Sequence, residues 1–138
     1  YDEPFVVLLP KNHQLAKYSK IKRDDLSAET VLLLGEGHCL RNQILETCPQ
    51  SLNSDDDQHL SQGASLETLR HMVAAGMGMT ILPSTATAVH HYDKILCTRP
   101  FNTDIPQRTI ALAWRTSFPR TQAIDALIAA LQQTEFSD

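Results

Sequence analysis

The sequence lacks the features that mark several common classes of protein. Only three cysteines occur among its 138 residues, and an odd number this small provides no framework of disulfides. No apolar run approaches the roughly 20 residues needed to cross a bilayer, and no charged-then-apolar signal opens the chain. These absences argue against a disulfide-rich secreted domain and a membrane protein, and they favour a reduced cytosolic protein.

Basic residues are also in short supply. The 12 lysines and arginines are outnumbered by 16 acidic residues, which gives a net charge of −4 and argues against direct binding of phosphate backbones by these residues. The hydrophobic content of 42% and charged content of 20% are typical of a globular chain with a real core. The length predicts one domain or slightly less, and the missing initiator methionine leads us to expect a piece of a longer protein.

Short apolar runs alternate with helical patterns along the chain, which predicts an α/β fold with mostly parallel strand pairing. Helix 39–48 is expected to stop at Pro49, and Ser65 is a good N-cap for the helix that follows it. A short helix is expected over 84–89. The last helix begins near Ser117 and is expected to bury Ile124, Leu127, Ile128 and Leu131. The predicted strands cover residues 5–9, 31–34, 59–62, 79–83, 94–98 and 109–114.

Two of the cysteines lie at opposite ends of one predicted helix. Cys39 falls in its first turn, where free N–H groups, the helix dipole, His38 and Arg41 favour a thiolate. Cys48 falls at the other end, where the negative end of the helix dipole and nearby Glu46 raise the pKa of a thiol. It shares the apolar stripe of Leu40 and Ile44, so we expect it to be buried. We therefore predict an asymmetric pair, with Cys39 nucleophilic and Cys48 a resting, buried thiol.

Helix geometry separates the two sulfurs. Nine residues along a helix span about 13.5 Å, whereas a disulfide needs Cα atoms within roughly 7 Å. Any bond between Cys39 and Cys48 would therefore require the helix to unwind. Spacing alone leaves another interpretation open, because two cysteines this far apart are often ordinary small buried side chains.

Other sites receive less support from the sequence. A zinc site could draw on the first two cysteines and histidines, but the usual ligand spacings are absent. Cys97 lies in an apolar strand and is expected in the core, while Gly76 and Gly78 are better explained as a helix terminus than as a dinucleotide motif. The acidic run 55–57 is expected in a solvated loop. The histidines considered as metal ligands are His38, His59, His90 and His91.

Several segments together resemble one known family. The run GHCLR at 37–41, Cys48 after it, the stretch 65–76, Ile-Leu-Pro at 81–83 and Arg-Thr-Ile at 108–110 are similar to the OxyR family of LysR-type transcriptional regulators, which sense hydrogen peroxide. The stretch 65–83 is shared widely among LysR-type effector domains, whereas the His-Cys-Leu-Arg motif with a second cysteine is specific to peroxide sensors.

The resemblance implies a periplasmic-binding-protein-like (type II) effector domain, with one lobe essentially complete and part of the other. Residues 1–100 would form the second lobe, 101–107 a crossover, and 108–138 a strand and helix that return to the first lobe. The winged helix-turn-helix that binds DNA would lie in an N-terminal part absent from this chain.

The resemblance also implies a mechanism and a set of roles. Cys39 would react with hydrogen peroxide and then form a disulfide with Cys48, which switches conformation and transcription activation under oxidative stress. His38 would help to build the peroxide pocket, and Arg41 and Arg108 would contribute to its charge.

The partners that follow from the resemblance are those of a cytoplasmic bacterial regulator. They are the protein itself as a homodimer or tetramer, DNA, RNA polymerase and a glutaredoxin-type reductant, with no membrane, cofactor or metal. Two alternatives remain open, namely a thiol peroxidase-type enzyme and a small-ligand-binding LysR effector domain in which the cysteines are incidental.

Overall fold

The fold is described from a computed structural model that covers residues 1–49, 62–87 and 92–134. Several sequence-based expectations lie outside these residues. They concern His59, His90, His91, the acidic run 55–57, most of the strand predicted at 59–62 and the end of the helix predicted at 84–89.

A six-stranded mixed sheet forms the centre of the molecule. Strands β2 and β4 run parallel to each other and β3 runs parallel to β2, whereas β1 is antiparallel to all three of its partners, β4, β5 and β6. The spatial order is β3-β2-β4-β1-β5, with β6 paired to the start of β1. The strands are β1 (Asp2–Pro10), β2 (Val31–Leu34), β3 (Gln62–Gly63), β4 (Met79–Pro83), β5 (Leu96–Pro100) and β6 (Gln107–Thr109).

The predicted α/β class is confirmed, but the expectation of mostly parallel pairing is wrong. A parallel neighbour requires a crossover that returns the chain to the edge where the previous strand began. The connection after β1 contains only the short 3-10 helices Gln14–Lys17 and Arg23–Leu26. The chain therefore enters β2 from the edge at which β1 ends, and β1 runs against the parallel strands.

The core lies around β1, β2 and β4. All of β2 and β4 is buried, as is most of β1, so the predicted strands at 5–9, 31–34 and 79–83 are confirmed. Three helices are described: α1 (Cys39–Thr47), α2 (Leu66–Ala74) and α3 (Thr121–Gln133). None of the helices within the described ranges is long and apolar enough to cross a membrane.

Helix α2 has the termini that its sequence predicts. Ser65 caps it by accepting a hydrogen bond from the Thr68 backbone N–H at 3.1 Å. At the other end the N–H groups of Gly76 and Met77 bond the carbonyls of Val73 and Met72, which is the Schellman pattern. The predicted helix terminus at Gly76 is confirmed.

The C-terminal part departs from expectation. Only Gln107–Thr109 forms a strand, which Ile110 extends through two backbone hydrogen bonds with Tyr1, and residues 111–114 run on outside any strand, so the strand predicted at 109–114 is wrong over most of its length. Helix α3 buries none of its residues, although a buried face was predicted from Ile124, Leu127, Ile128 and Leu131. The reason is that the described residues cover this stripe only loosely, since Ile128 and Leu131 line an open cavity with Tyr1 and residues 110–112.

Two glycines just before β4 differ in how much room the structure leaves for a side chain. Both Gly76 and Gly78 have positive φ, but an added Cβ meets nothing at Gly76 and lies 2.5 Å from the Thr30 carbonyl oxygen at Gly78. We expect Gly76→Ala to cost about 1 kcal/mol through its left-handed backbone, and Gly78→Ala to cost at least about 1 kcal/mol more through the clash. Urea unfolding of the two variants measures the difference, and equal losses would contradict this account of Gly78.

Candidate redox site at helix α1

One edge of the sheet gathers the chemically interesting residues. The carboxyl ends of the parallel strands β2 and β4 lie at this edge, and the antiparallel strand β1 begins there. Helix α1 follows β2 after the turn 35–38, in which Gly37 adopts a left-handed φ of 89°. The sheet therefore delivers the start of α1 to the edge where α/β proteins place their ligand sites.

Cys39 is the first residue of α1 and is exposed. His38 is the N-cap residue, also exposed, and its side chain makes no capping hydrogen bond. The predicted position of Cys39 in the first helical turn is confirmed. The structure therefore presents an accessible thiol at the N-terminus of α1.

Arg41 has a specific contact behind Cys39. Its Nη1 donates to the Leu34 carbonyl oxygen at 3.1 Å, at the end of β2. The half-buried guanidinium therefore joins the first turn of α1 to the strand before it. Its positive charge lies two residues from Cys39 in sequence, and its hydrogen bond to Leu34 also holds the turn in place.

Cys48 differs from Cys39 in its position on the helix and in its burial. It caps the C-terminus of α1, its N–H bonds the Ile44 carbonyl at 2.7 Å, and its side chain is fully buried on the same stripe as Leu40 and Ile44. Burial raises the pKa of the Cys48 thiol, and the hydrogen bond with Thr47 and the charge of Arg23 oppose this only in part. The predicted burial and raised pKa of Cys48 are both confirmed.

The intact helix keeps these two thiols apart. Neither is in a disulfide, and nine residues of helix separate their Cα atoms by about 13.5 Å, roughly twice the span that a disulfide permits. The structure therefore describes a dithiol form that cannot become a disulfide without local unfolding of α1.

Arg108 lies elsewhere on the same edge. It sits on β6, where its Nε donates to Glu3 Oε2 at 2.7 Å, and it is this carboxylate rather than Cys39 that binds its guanidinium. Glu3 is buried and also accepts hydrogen bonds from the backbone N–H and hydroxyl of Thr85. Sequence reasoning missed Glu3 and Thr85, because only the pairing of strands more than 100 residues apart brings Glu3 opposite Arg108.

Cys97 differs from the simple core residue that was expected. It lies on β5 and is only half-buried, at the wall of a cavity of about 300 Å³ that Lys11 and Arg70 also line. The prediction was wrong because β5 is the outer strand of the sheet, and one of its faces is incompletely covered. Within the three described ranges, no group of histidine, cysteine and acidic residues is arranged to hold a metal ion.

The contrast in burial predicts the order of alkylation. In the folded protein, iodoacetamide should label Cys39 first, Cys97 more slowly and Cys48 last, because a buried thiol of raised pKa is both inaccessible and protonated. In urea the three should react alike. Peptide mass spectrometry after timed quenching measures the order, and labelling of Cys48 as fast as Cys39 in the folded protein would refute it.

Comparisons with known proteins agree with this geometry. A hydrogen peroxide-inducible genes activator of Dickeya chrysanthemi is 41% identical over 119 residues, which cover 86% of this chain and 38% of that protein. The chain thus spans about two fifths of the length of this curated relative.

Solved structures of OxyR are similar as well. The reduced form of the OxyR regulatory domain from Pseudomonas aeruginosa superposes with a TM-score of 0.83 at 43% identity, covering 97% of this chain and 64% of that one. A reduced form of OxyR from N. meningitidis gives a TM-score of 0.85 at 38% identity, covering 96% and 62%. These likenesses confirm the predicted periplasmic-binding-protein-like (type II) fold.

The family assignment covers nearly the whole chain. Residues 1–135 match the LysR substrate binding domain. With the mixed sheet, the helix that begins at Cys39 and the similarity to OxyR regulators, this match shows that the chain belongs to the LysR substrate-binding domain family.

Proposed function

We propose that this chain is the redox-sensing part of a LysR-type transcription regulator that responds to hydrogen peroxide. The observation that carries the proposal is the arrangement of α1, which exposes one cysteine at its N-terminus and buries the other at its C-terminus. The relatives described as hydrogen peroxide-inducible genes activators support the choice of oxidant. Both solved structures compared above are described as reduced forms, which suits the dithiol state seen here.

The chemistry begins at Cys39. Its thiolate attacks one oxygen of hydrogen peroxide, so that an S–O bond forms, the O–O bond breaks, and hydroxide leaves and takes a proton to become water. The product is a sulfenic acid on Cys39. His38 directly precedes Cys39 and is exposed, so we assign it a place in the wall of the peroxide pocket. Arg41 and Arg108 would supply positive charge to this pocket.

The second step couples chemistry to conformation. Once α1 opens, the Cys48 thiol loses its proton and attacks the Cys39 sulfur, the S–S bond forms, and the S–O bond breaks to release water. Because Leu40 and Ile44 share the buried stripe with Cys48, opening the helix also removes them from the core. A dithiol reductant of the glutaredoxin type would reset the switch by thiol–disulfide exchange.

The rearrangement of α1 would change transcription through other parts of the longer protein. Residues 1–100 would form the second lobe, 101–107 the crossover and 108–138 the returning strand and helix of the first lobe. The exposed stripe of α3 and residues 111–114, which lie outside any strand, suit this division, because they would contact the rest of the first lobe. The rearranged α1 would alter contacts between copies of a dimer or tetramer, and thereby the DNA footprint and the engagement of RNA polymerase in the bacterial cytoplasm.

We assign a sensor role rather than a thiol peroxidase role because the relatives are described as gene activators. Each catalytic cycle would also require α1 to unfold and refold, and such a conformational step limits the rate of turnover. With excess peroxide and a glutaredoxin-type reductant, we expect turnover far slower than the single oxidation event. Steady-state consumption as fast as the first oxidation would favour the enzyme.

One stoichiometric equivalent of hydrogen peroxide should produce a Cys39–Cys48 disulfide in the complete protein that contains this chain. Cys39→Ser should abolish the disulfide and the transcriptional response, and Cys48→Ser should accumulate the Cys39 sulfenic acid, which a dimedone adduct reveals. Cys97→Ser is the matched control and should behave as the parent protein. Mass spectrometry of non-reduced peptides reports each outcome, and free thiols at both positions after treatment would refute the proposed function.

A response that survives in Cys39→Ser would identify a different regulator. In that case the domain binds a small ligand, as other members of its family do by their family description, and its cysteines are incidental.

A further inference from the structure

A buried carboxylate lies at the same sheet edge as α1. Glu3 is only 2% exposed, and among the described residues it is the one charged side chain in the buried class. Its Oε1 accepts hydrogen bonds from the Thr85 hydroxyl and from the Thr85 N–H at 3.1 Å, while its Oε2 accepts from Arg108 Nε at 2.7 Å. Burial alone would raise the pKa of Glu3, but these bonds outweigh it and hold the pKa below its usual value, so the group is a carboxylate.

The strand register defines where this carboxylate holds its partner. Glu3 on β1 lies directly opposite Arg108 on β6, and Thr85 belongs to the short 3-10 helix that follows β4. Three elements that are distant in sequence therefore meet at one carboxylate. Burying a carboxylate is costly unless both of its oxygens accept hydrogen bonds, and in Glu3 both do.

The same register relates the cluster to Cys39. Val31 and Leu32 on β2 pair with Met79 and Thr80 on β4, and both strands then run on to the same edge, where Leu82 of β4 pairs with Val6 on β1. Strands β1 and β2 are separated by β4 alone, a spacing of about 10 Å. Cys39 follows Leu34 after the turn 35–38, and Arg108 lies opposite Glu3 at the start of β1, so both residues lie at the same edge of the sheet.

The hydrogen bond to Glu3 leaves one edge of the Arg108 guanidinium available to bind an anion. Glu3 engages the Nε edge of the guanidinium, and within the described part of the chain no hydrogen bond uses the two terminal nitrogens. The side chain remains a quarter exposed. A guanidinium fixed at one edge and available at the other is suited to stabilise anions at a defined place.

We propose that Glu3 is a positioning residue for the peroxide reaction, which holds the Arg108 guanidinium at the sheet edge with Thr85 as its second anchor. This inference rests on the proposed function. The held cation would stabilise the negative charge that passes from the Cys39 thiolate to the departing hydroxide. Its fixed position matters because a long side chain that moves freely would spend little time near that charge.

The test measures the second-order rate of Cys39 oxidation by hydrogen peroxide in the complete protein that contains this chain. Glu3→Gln keeps the volume and can still accept from Thr85, but it presents an amide to Arg108, and we expect oxidation to slow about tenfold. Glu3→Asp keeps the charge and should retain a rate within about threefold of the parent. Glu29→Gln is the matched control, since that carboxylate also accepts side-chain hydrogen bonds but lies at the opposite edge, and its rate should be unchanged.

A double-mutant cycle separates positioning from general stability. Arg108→Ala should slow oxidation about as much as Glu3→Gln, and Glu3→Gln should have no further effect in the Arg108→Ala background. The inference would be overturned if the double variant were slowed by the product of the two single effects. It would also be overturned if Glu3→Gln reacted as fast as the parent protein. If Glu3→Gln does not fold, Thr85→Val takes its place, because Thr85 is exposed and its substitution disturbs the fold less. An oxidation rate about threefold lower than that of the parent supports the inference, and an unchanged rate overturns it.

The two proposals fail in different ways. If the parent protein forms no Cys39–Cys48 disulfide with peroxide, the proposed function itself is wrong. If the parent protein reacts and the Glu3 and Thr85 variants react equally fast, only the positioning role is wrong.

Discussion

Helix α1 is the constraint on which the rest of the redox account depends. Its hydrogen bonds hold Cys39 and Cys48 at opposite ends of a rigid rod, one exposed and the other buried. A helix of nine residues is too short to persist in water by its own propensity. It exists because Leu40, Ile44 and Cys48 bury one stripe against the sheet, and because Arg41 fastens its first turn to Leu34.

The energies involved are of similar size, which suits a switch. Removing Leu40 and Ile44 from the core costs about 3–6 kcal/mol in total at the usual value for a large aliphatic side chain. In the chain-entropy model, a disulfide that closes a ten-residue loop stabilises by roughly 2–3 kcal/mol. Neither term overwhelms the other, so the free energy of the oxidation itself can determine which conformation is populated.

The local features of the molecule were predictable from sequence, because their causes are local. The caps of α2 at Ser65 and Gly76 and the burial of Cys48 follow from helical periodicity and from residue types a few positions apart. The antiparallel direction of β1 was not predictable in this way, since it depends on how a polar connection without a crossover helix returns to the sheet. The exposed stripe of α3 shows the same limit, because an apolar pattern indicates a face to be covered but not what covers it.

The polar part of the candidate site falls between these two cases. His38, Cys39 and Arg41 lie within four consecutive positions, and one motif marks all three. The Glu3–Arg108 pair joins residues 105 positions apart, and no property of either residue alone indicates the other. Such pairs become visible only once the strand register is known.

Amide hydrogen exchange over residues 39–48 tests the central claim most directly. Before oxidation, the amides of α1 from its second turn onward should be protected by its helical hydrogen bonds. After one equivalent of peroxide, with the Cys39–Cys48 disulfide verified by mass, the account predicts that this protection is lost across α1 while the amides of β2 and β4 remain protected. A disulfide formed with the protection of α1 intact would contradict it.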